Sequence, residues 1–188
     1  MTVDYTIAAI PTTYRGVLYR SRLEARWAAF FYRLKWDVQY EPLDFGPWSP
    51  DFLVTTGGNQ RIFVEVKPIT QHDASVAAKM TKVIPARQVG HRATYFMLCG
   101  LAPTLNAQDH TFSLGTFCKN DDMSPGAWQN ASLVWTVSNN WPEIEPVAIS
   151  ILSSKKFAVN NEGSCYGEYA RLLWSQACND VQWKGPGK

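Results

Sequence analysis

Two short apolar runs, Asp51–Thr55 and Arg61–Lys67, are joined by Thr56-Gly57-Gly58-Asn59-Gln60, with Pro50 before and Pro68 after. No other stretch constrains the fold as much. Branched and aromatic residues make the strands, the Gly-Gly-Asn segment supplies the turn, and a proline without an N–H stops the ladder. The pattern predicts an antiparallel β-hairpin. Its return strand, Phe63-Val64-Glu65-Val66-Lys67, carries two charges where an apolar strand needs none. Side chains alternate along a strand, so Phe63, Glu65 and Lys67 share one face and Val64 and Val66 the other. Asp51 opens the first strand and Lys67 closes the second. Antiparallel pairing therefore brings Asp51, Glu65 and Lys67 to one edge of the sheet.

Asp51, Glu65 and the backbone carbonyl of Val66 offer oxygen ligands of the kind that Mg²⁺ or Mn²⁺ takes. Lys67 beside them would orient a metal-activated water or offset developing negative charge. The same residues also read as a surface Glu–Lys pair on an edge strand beside a turn aspartate, worth under about 1 kcal/mol.

A helix is predicted over Tyr19–Leu34, with Leu23, Trp27, Phe30 (or Phe31) and Leu34 at helical spacing and Arg20 or Ser21 near its start. Glu24 follows Leu23 at the margin of the apolar stripe. It pairs with Arg20 at i−4, or it is a third carboxylate aimed at the site, with Arg20 meeting a substrate phosphate. Further strands are expected at Tyr5–Ile10, Val38–Glu41, Thr94–Leu98, Thr111–Phe117 and Ser132–Val137, with helices at Asp73–Gln88 and Glu168–Cys178. Strand 61–67 and strand 94–98 are expected to pair in parallel across the intervening helix. Segments 120–130 and 139–146 read as loops.

Net charge is only +2, but its distribution is uneven. Residues 1–40 hold six Lys and Arg against three acids, and residues 67–92 hold five against Asp73 alone. These basic segments flank the carboxylate motif and suit a polyanion, although solvated helix faces are the plainer account of the charge counts alone. The four cysteines form no CxxC, which argues against zinc and for a reducing compartment. No 18-residue apolar run exists and residues 1–20 lack a signal-peptide core, so a soluble intracellular protein is expected.

Arg20-Ser21-Arg22-Leu23-Glu24-Ala25-Arg26-Trp27-Ala28, then Tyr40-Glu41-Pro42, Ser49-Pro50-Asp51-Phe52-Leu53 and Val64-Glu65-Val66-Lys67-Pro68, together resemble the PD-(D/E)XK nuclease superfamily. Within it, the chain is similar to small phage and prophage nucleases and to the catalytic domain of TnsA-type transposon endonucleases. The resemblance covers about residues 14–100. It implies an α/β fold with a restriction-endonuclease-like core (α-β-β-β-α-β), a mixed central sheet flanked by helices, and C-terminal additions. A single nuclease domain would fill residues 1–188, with an accessory or specificity region over 101–183 and a disordered tail over 184–188.

By resemblance, Glu24, Asp51, Glu65 and Lys67 are the catalytic set. Asp51, Glu65 and the Val66 carbonyl would bind Mg²⁺, for which Mn²⁺ may substitute, with Glu24 as a further ligand. Arg20, Arg22, Trp48, His72 and Gln88 are the candidate substrate contacts, Trp48 by stacking on a base or sugar. The implied activity is metal-dependent endonucleolytic hydrolysis of DNA in a bacterial cytoplasm, with phage origin and a homodimeric or phage/transposon partner compatible with it. The alternative is a nuclease-fold DNA- or protein-binding subunit with little activity alone.

Overall fold

Why the first helix begins where it does is local chemistry. Ser21 has extended backbone angles (φ −137°, ψ 156°), and its hydroxyl accepts the Glu24 N–H at 3.1 Å. Ser21 Oγ also donates to Glu24 Oε1 at 2.8 Å, so the serine and the acid three residues on hold each other. The helix α1 is therefore Arg22–Arg33, starting after Tyr19 and Arg20, which precede it in a short hairpin. It ends in a Schellman arrangement. Lys35 takes φ +58°, its N–H reaches Tyr32 O at 3.0 Å, and the Trp36 N–H reaches Phe31 O at 3.1 Å.

The computed structural model describes residues 9–56, 61–83, 94–105, 112–119, 128–137, 144–150 and 163–182. Before α1 lie β1 (Thr12–Tyr14) and β2 (Val17–Tyr19), paired antiparallel about Arg15 and Gly16. Both turn residues have positive φ (51° and 82°), as a tight two-residue hairpin requires. This hairpin is not expected from the sequence pattern; the predicted strand Tyr5–Ile10 lies outside the described residues except for its last two, which are irregular.

After α1 come β3 (Asp37–Tyr40), β4 (Phe52–Thr55), β5 (Arg61–Val66), α2 (Ala74–Val83) and β6 (Thr94–Cys99). The expected hairpin forms, with Phe52 opposite Val64 and Thr55 opposite Arg61. β5 and β6 pair in parallel, from Arg61↔Thr94 to Val66↔Cys99, as the sequence predicts. β3 stops one residue early because Glu41 takes φ +45°. β7 (Thr104–Leu105), β8 (Phe112–Lys119), β9 (Gln129–Val137), β10 (Ile144–Ser150) and α3 (Gly163–Asp180) complete the described elements.

One mixed sheet runs β10-β9-β8-β6-β5-β4-β3, with β7 pairing to β8 beyond the end of β6. β10 corrects the last three residues of the loop expected over 139–146, whose first five lie outside the described residues. Pro146 signals a loop, but on the edge of a sheet a proline is tolerated, and the register shifts just after it.

Alternation along β5 builds two cores. Ile62, Val64 and Val66 pack with Trp27, Phe30 and Phe31 of α1 and Leu173 and Ala177 of α3. Phe63 packs on the opposite face with Trp48, Phe96 and Met80 of α2. The chain is thus α/β, a mixed sheet with helices on both faces. Among the described residues, no helix is long and apolar enough to cross a membrane. The predicted 184–188 tail lies outside the described residues.

Candidate metal and nucleic-acid site

Four polar or charged side chains are buried among the described residues: Glu24, Asp51, Thr56 and Glu65. Three of them are the carboxylates singled out in the sequence. A buried carboxylate needs donors, and each of these has two.

Asp51 precedes β4 and is 2% exposed. Its Oδ2 accepts the Val66 N–H at 2.8 Å, just past the last β4–β5 pair, and its Oδ1 accepts Arg20 Nη2 at 2.7 Å. Glu65 Oε1 meets Lys67 Nζ at 2.5 Å, and Oε2 accepts the indole N–H of buried Trp48 at 2.8 Å. Glu24 Oε1 accepts Ser21, and Oε2 accepts the Tyr40 hydroxyl at 2.6 Å. The Tyr40 oxygen accepts in turn the Arg20 backbone N–H at 2.9 Å. Arg20 also reaches Glu41 through Nε at 2.8 Å, and Glu41 is anchored by its N–H on the Asp51 carbonyl at 2.9 Å. The i,i+4 approach of Arg20 to Glu24 is longer, at 4.0 Å.

The charges do not balance. Among the described residues, Glu24, Glu41, Asp51 and Glu65 pair with Arg20 and Lys67 alone. Burial first, and the neighbouring Glu65 second, push the Asp51 carboxyl up to about 7. Burial alone would lower the Lys67 ammonium, but Glu65 and then Asp51 outweigh it and leave its pKa raised. Burial, then the bond to Glu24, pushes the Tyr40 hydroxyl up to about 12.

An excess of buried negative charge presented only through oxygen suits a hard divalent cation. Among the described residues no group of three or more His, Cys, Asp or Glu side chains forms a ready cage. Mg²⁺ does not require one, because it is typically held by one or two carboxylates with water and substrate phosphate completing its shell. Asp51 and Glu65 meet that requirement.

The remaining candidates are placed as follows. Val66 is 5% exposed and engages Asp51 through its N–H. Arg22 stands in the first turn of α1, half-buried, with its Nε unpartnered. Trp48 departs from expectation: only 7% exposed and packed between Phe45 and Phe96, it offers little ring surface to a base and instead fixes Glu65. His72 is exposed, 2.8 Å from Thr116 Oγ1 through Nδ1 and against Trp128 at 5.4 Å between ring centroids. Gln88 lies outside the described residues. Tyr40 and Ser21, which hold Glu24, stand in the recognised segments without being singled out. Tyr40 shares the half-buried face of β3 with Val38, and only the fold shows that this face meets α1.

The chain matches no family model, no curated protein and no solved structure.

Proposed function

We propose that this chain is a divalent-metal-dependent endonuclease that hydrolyses phosphodiester bonds in DNA, on a restriction-endonuclease-like core. The observation that carries the reading is the convergence of Glu24, Asp51 and Glu65, all buried, with Lys67 at one end of the interior strands β4 and β5. The order α1-β3-β4-β5-α2-β6, with β5 and β6 parallel, supports the core assignment.

Asp51 and Glu65 would hold Mg²⁺. Held there, the ion would lower the pKa of a water and offset charge on the phosphate. Water would attack phosphorus and release a proton to bulk solvent, the bond to one ester oxygen would break, and that oxygen would take up a proton from solvent. The raised pKa of Lys67 keeps it charged, so it serves as a donor to the attacking water and to the phosphate oxygens, not as the base. Trp48 keeps Glu65 oriented, while Ser21 and Tyr40 keep Glu24 oriented. Arg20, whose side chain is 60% exposed, can turn from Asp51 to a phosphate.

Incubation with plasmid and linear DNA in Mg²⁺ or Mn²⁺ should yield cleavage products. Chelator and Lys67→Ala should each abolish them; cleavage that persists in either case refutes the assignment. One observation favours a second reading, a binding subunit activated by a partner. Every oxygen of the three carboxylates already has a donor in the free chain. DNA binding with a steep salt dependence and no product would support that case.

A further inference from the structure

A cleft of about 290 Å³ opens immediately beyond Lys67. Its floor is tied to the site by the backbone: the Lys67 N–H meets Cys99 O at 3.0 Å, the Ile69 N–H meets Lys67 O at 2.8 Å, and the Leu101 N–H meets Ile69 O at 2.9 Å. One wall is the segment after β5, with Gln71 and His72. The other comes from the C-terminal part of the sheet, through Thr104, Ser113, Thr116 and Asn130.

Two glycines make the close approaches that shape it. A Cβ on Gly100 would overlap the Ile69 carbonyl oxygen, and one on Gly115, at φ +138°, would overlap the Leu98 carbonyl oxygen. The cleft is thus built from both halves of the chain.

The lining chemistry is selective. Ile69, Leu98, Leu101 and Ala102 supply apolar surface, the polar groups are mainly hydroxyls and primary amides, and neither lysine, arginine, aspartate nor glutamate contributes. The amides of Gln71 and Asn130 and the hydroxyl of Thr104 take no partner among the described residues. A phosphate would find no cation there, and an apolar ligand would strand these groups. A neutral planar heterocycle with donors and acceptors on its edge satisfies them. His72 gives it a ring to lie against, held by Thr116 and backed by Trp128.

We propose that this cleft receives one unpaired nucleobase of the substrate strand, next to the bond presented to Lys67. The proposal rests on the nuclease reading and deepens it: the preferred substrate is a strand with a base free to leave its stack, such as single-stranded or locally opened DNA.

The test is binding of a fluorescein-labelled single-stranded oligodeoxynucleotide and of the same strand carrying abasic sites. Ca²⁺ replaces Mg²⁺ so that the strands stay intact. A base stacked and hydrogen-bonded in a pocket contributes about 1–3 kcal/mol, so the intact strand should bind about tenfold more tightly. His72→Ala and Asn130→Ala should each reduce that ratio toward one. Both residues are exposed, and circular dichroism checks that the variants fold.

Equal binding of the two strands, no binding of either, or an unchanged ratio in both variants overturns the cleft assignment. Because binding is read without cleavage, the two proposals fail separately. Cleavage without base discrimination removes the cleft and leaves the nuclease. Base discrimination without cleavage in Mg²⁺ does the reverse.

Discussion

Both ends of α1 carry an arginine bonded to an aspartate at 2.7 Å, and they do different work. At the C-terminal end, Arg33 reaches Asp180 with Nε and Nη2 and Gln176 with Nη1, tying α1 to α3. One cation meets one carboxylate there, and both are about 30% exposed. At the N-terminal end, Arg20 reaches an aspartate that is almost fully buried, and three further carboxylates crowd the same edge. The first arrangement is complete as it stands. The second holds more carboxylates than its two cations pair, and three of those carboxylates are buried. An equal closest distance therefore says little about role; the charge balance and burial around the pair say more.

The comparison breaks first at Asp51. Asp51→Asn should lower DNA cleavage by about 10²–10³-fold, the scale of losing one preorganised electrostatic group. Asp180→Asn should leave the rate unchanged. Equal losses in a cleavage assay would show that the two ends do not differ as argued.

Stability against pH sharpens the contrast. The Asp51 carboxyl sits at about 7 in the folded chain against 3.8 for the free group, so folding takes up a proton between those values. Its contribution to stability is full below pH 4 and is lost as pH rises through 7. Metal-free wild type should therefore lose more Tm between pH 5.5 and 8 than Asp51→Asn does. Mg²⁺ should restore the wild type at pH 8 and leave the variant unmoved. Parallel melting curves for both proteins would refute this.

Trp48→Phe comes next. It keeps the packing but removes the donor to Glu65 Oε2, at a cost of about 1–3 kcal/mol in thermal or urea unfolding and a lower rate. Smallest is Asp180→Asn itself, a partly exposed pair whose loss should cost about 1 kcal/mol or less.

The site was legible where local rules reach. A hairpin and strand alternation suffice to place Asp51, Glu65 and Lys67 together, and the margin of an apolar stripe suffices to mark Glu24. The donors that hold these acids were harder to see. In the sequence the loop residue Trp48 reads as a ring for stacking on a base or sugar, and only the packing of Phe45 and Phe96 about it makes it a buried hydrogen-bond donor. Tyr40 acts across 16 residues of sequence. In the fold, β10 was masked by Pro146 and the β1–β2 hairpin by its three-residue strands, too short for alternation to register.

Ser21 and Glu24 carry a further consequence. The acid that faces the site also closes the first turn of α1, so the helix cannot start well without assembling part of the site. A chain that frays at this point also loosens one of the three buried carboxylates. For anyone redesigning the protein, Glu24 is a coupled position: Glu24→Gln keeps a partner for Ser21 but gives up an acceptor for Tyr40. Damage to function at this residue must be separated from fraying of the helix before either is measured.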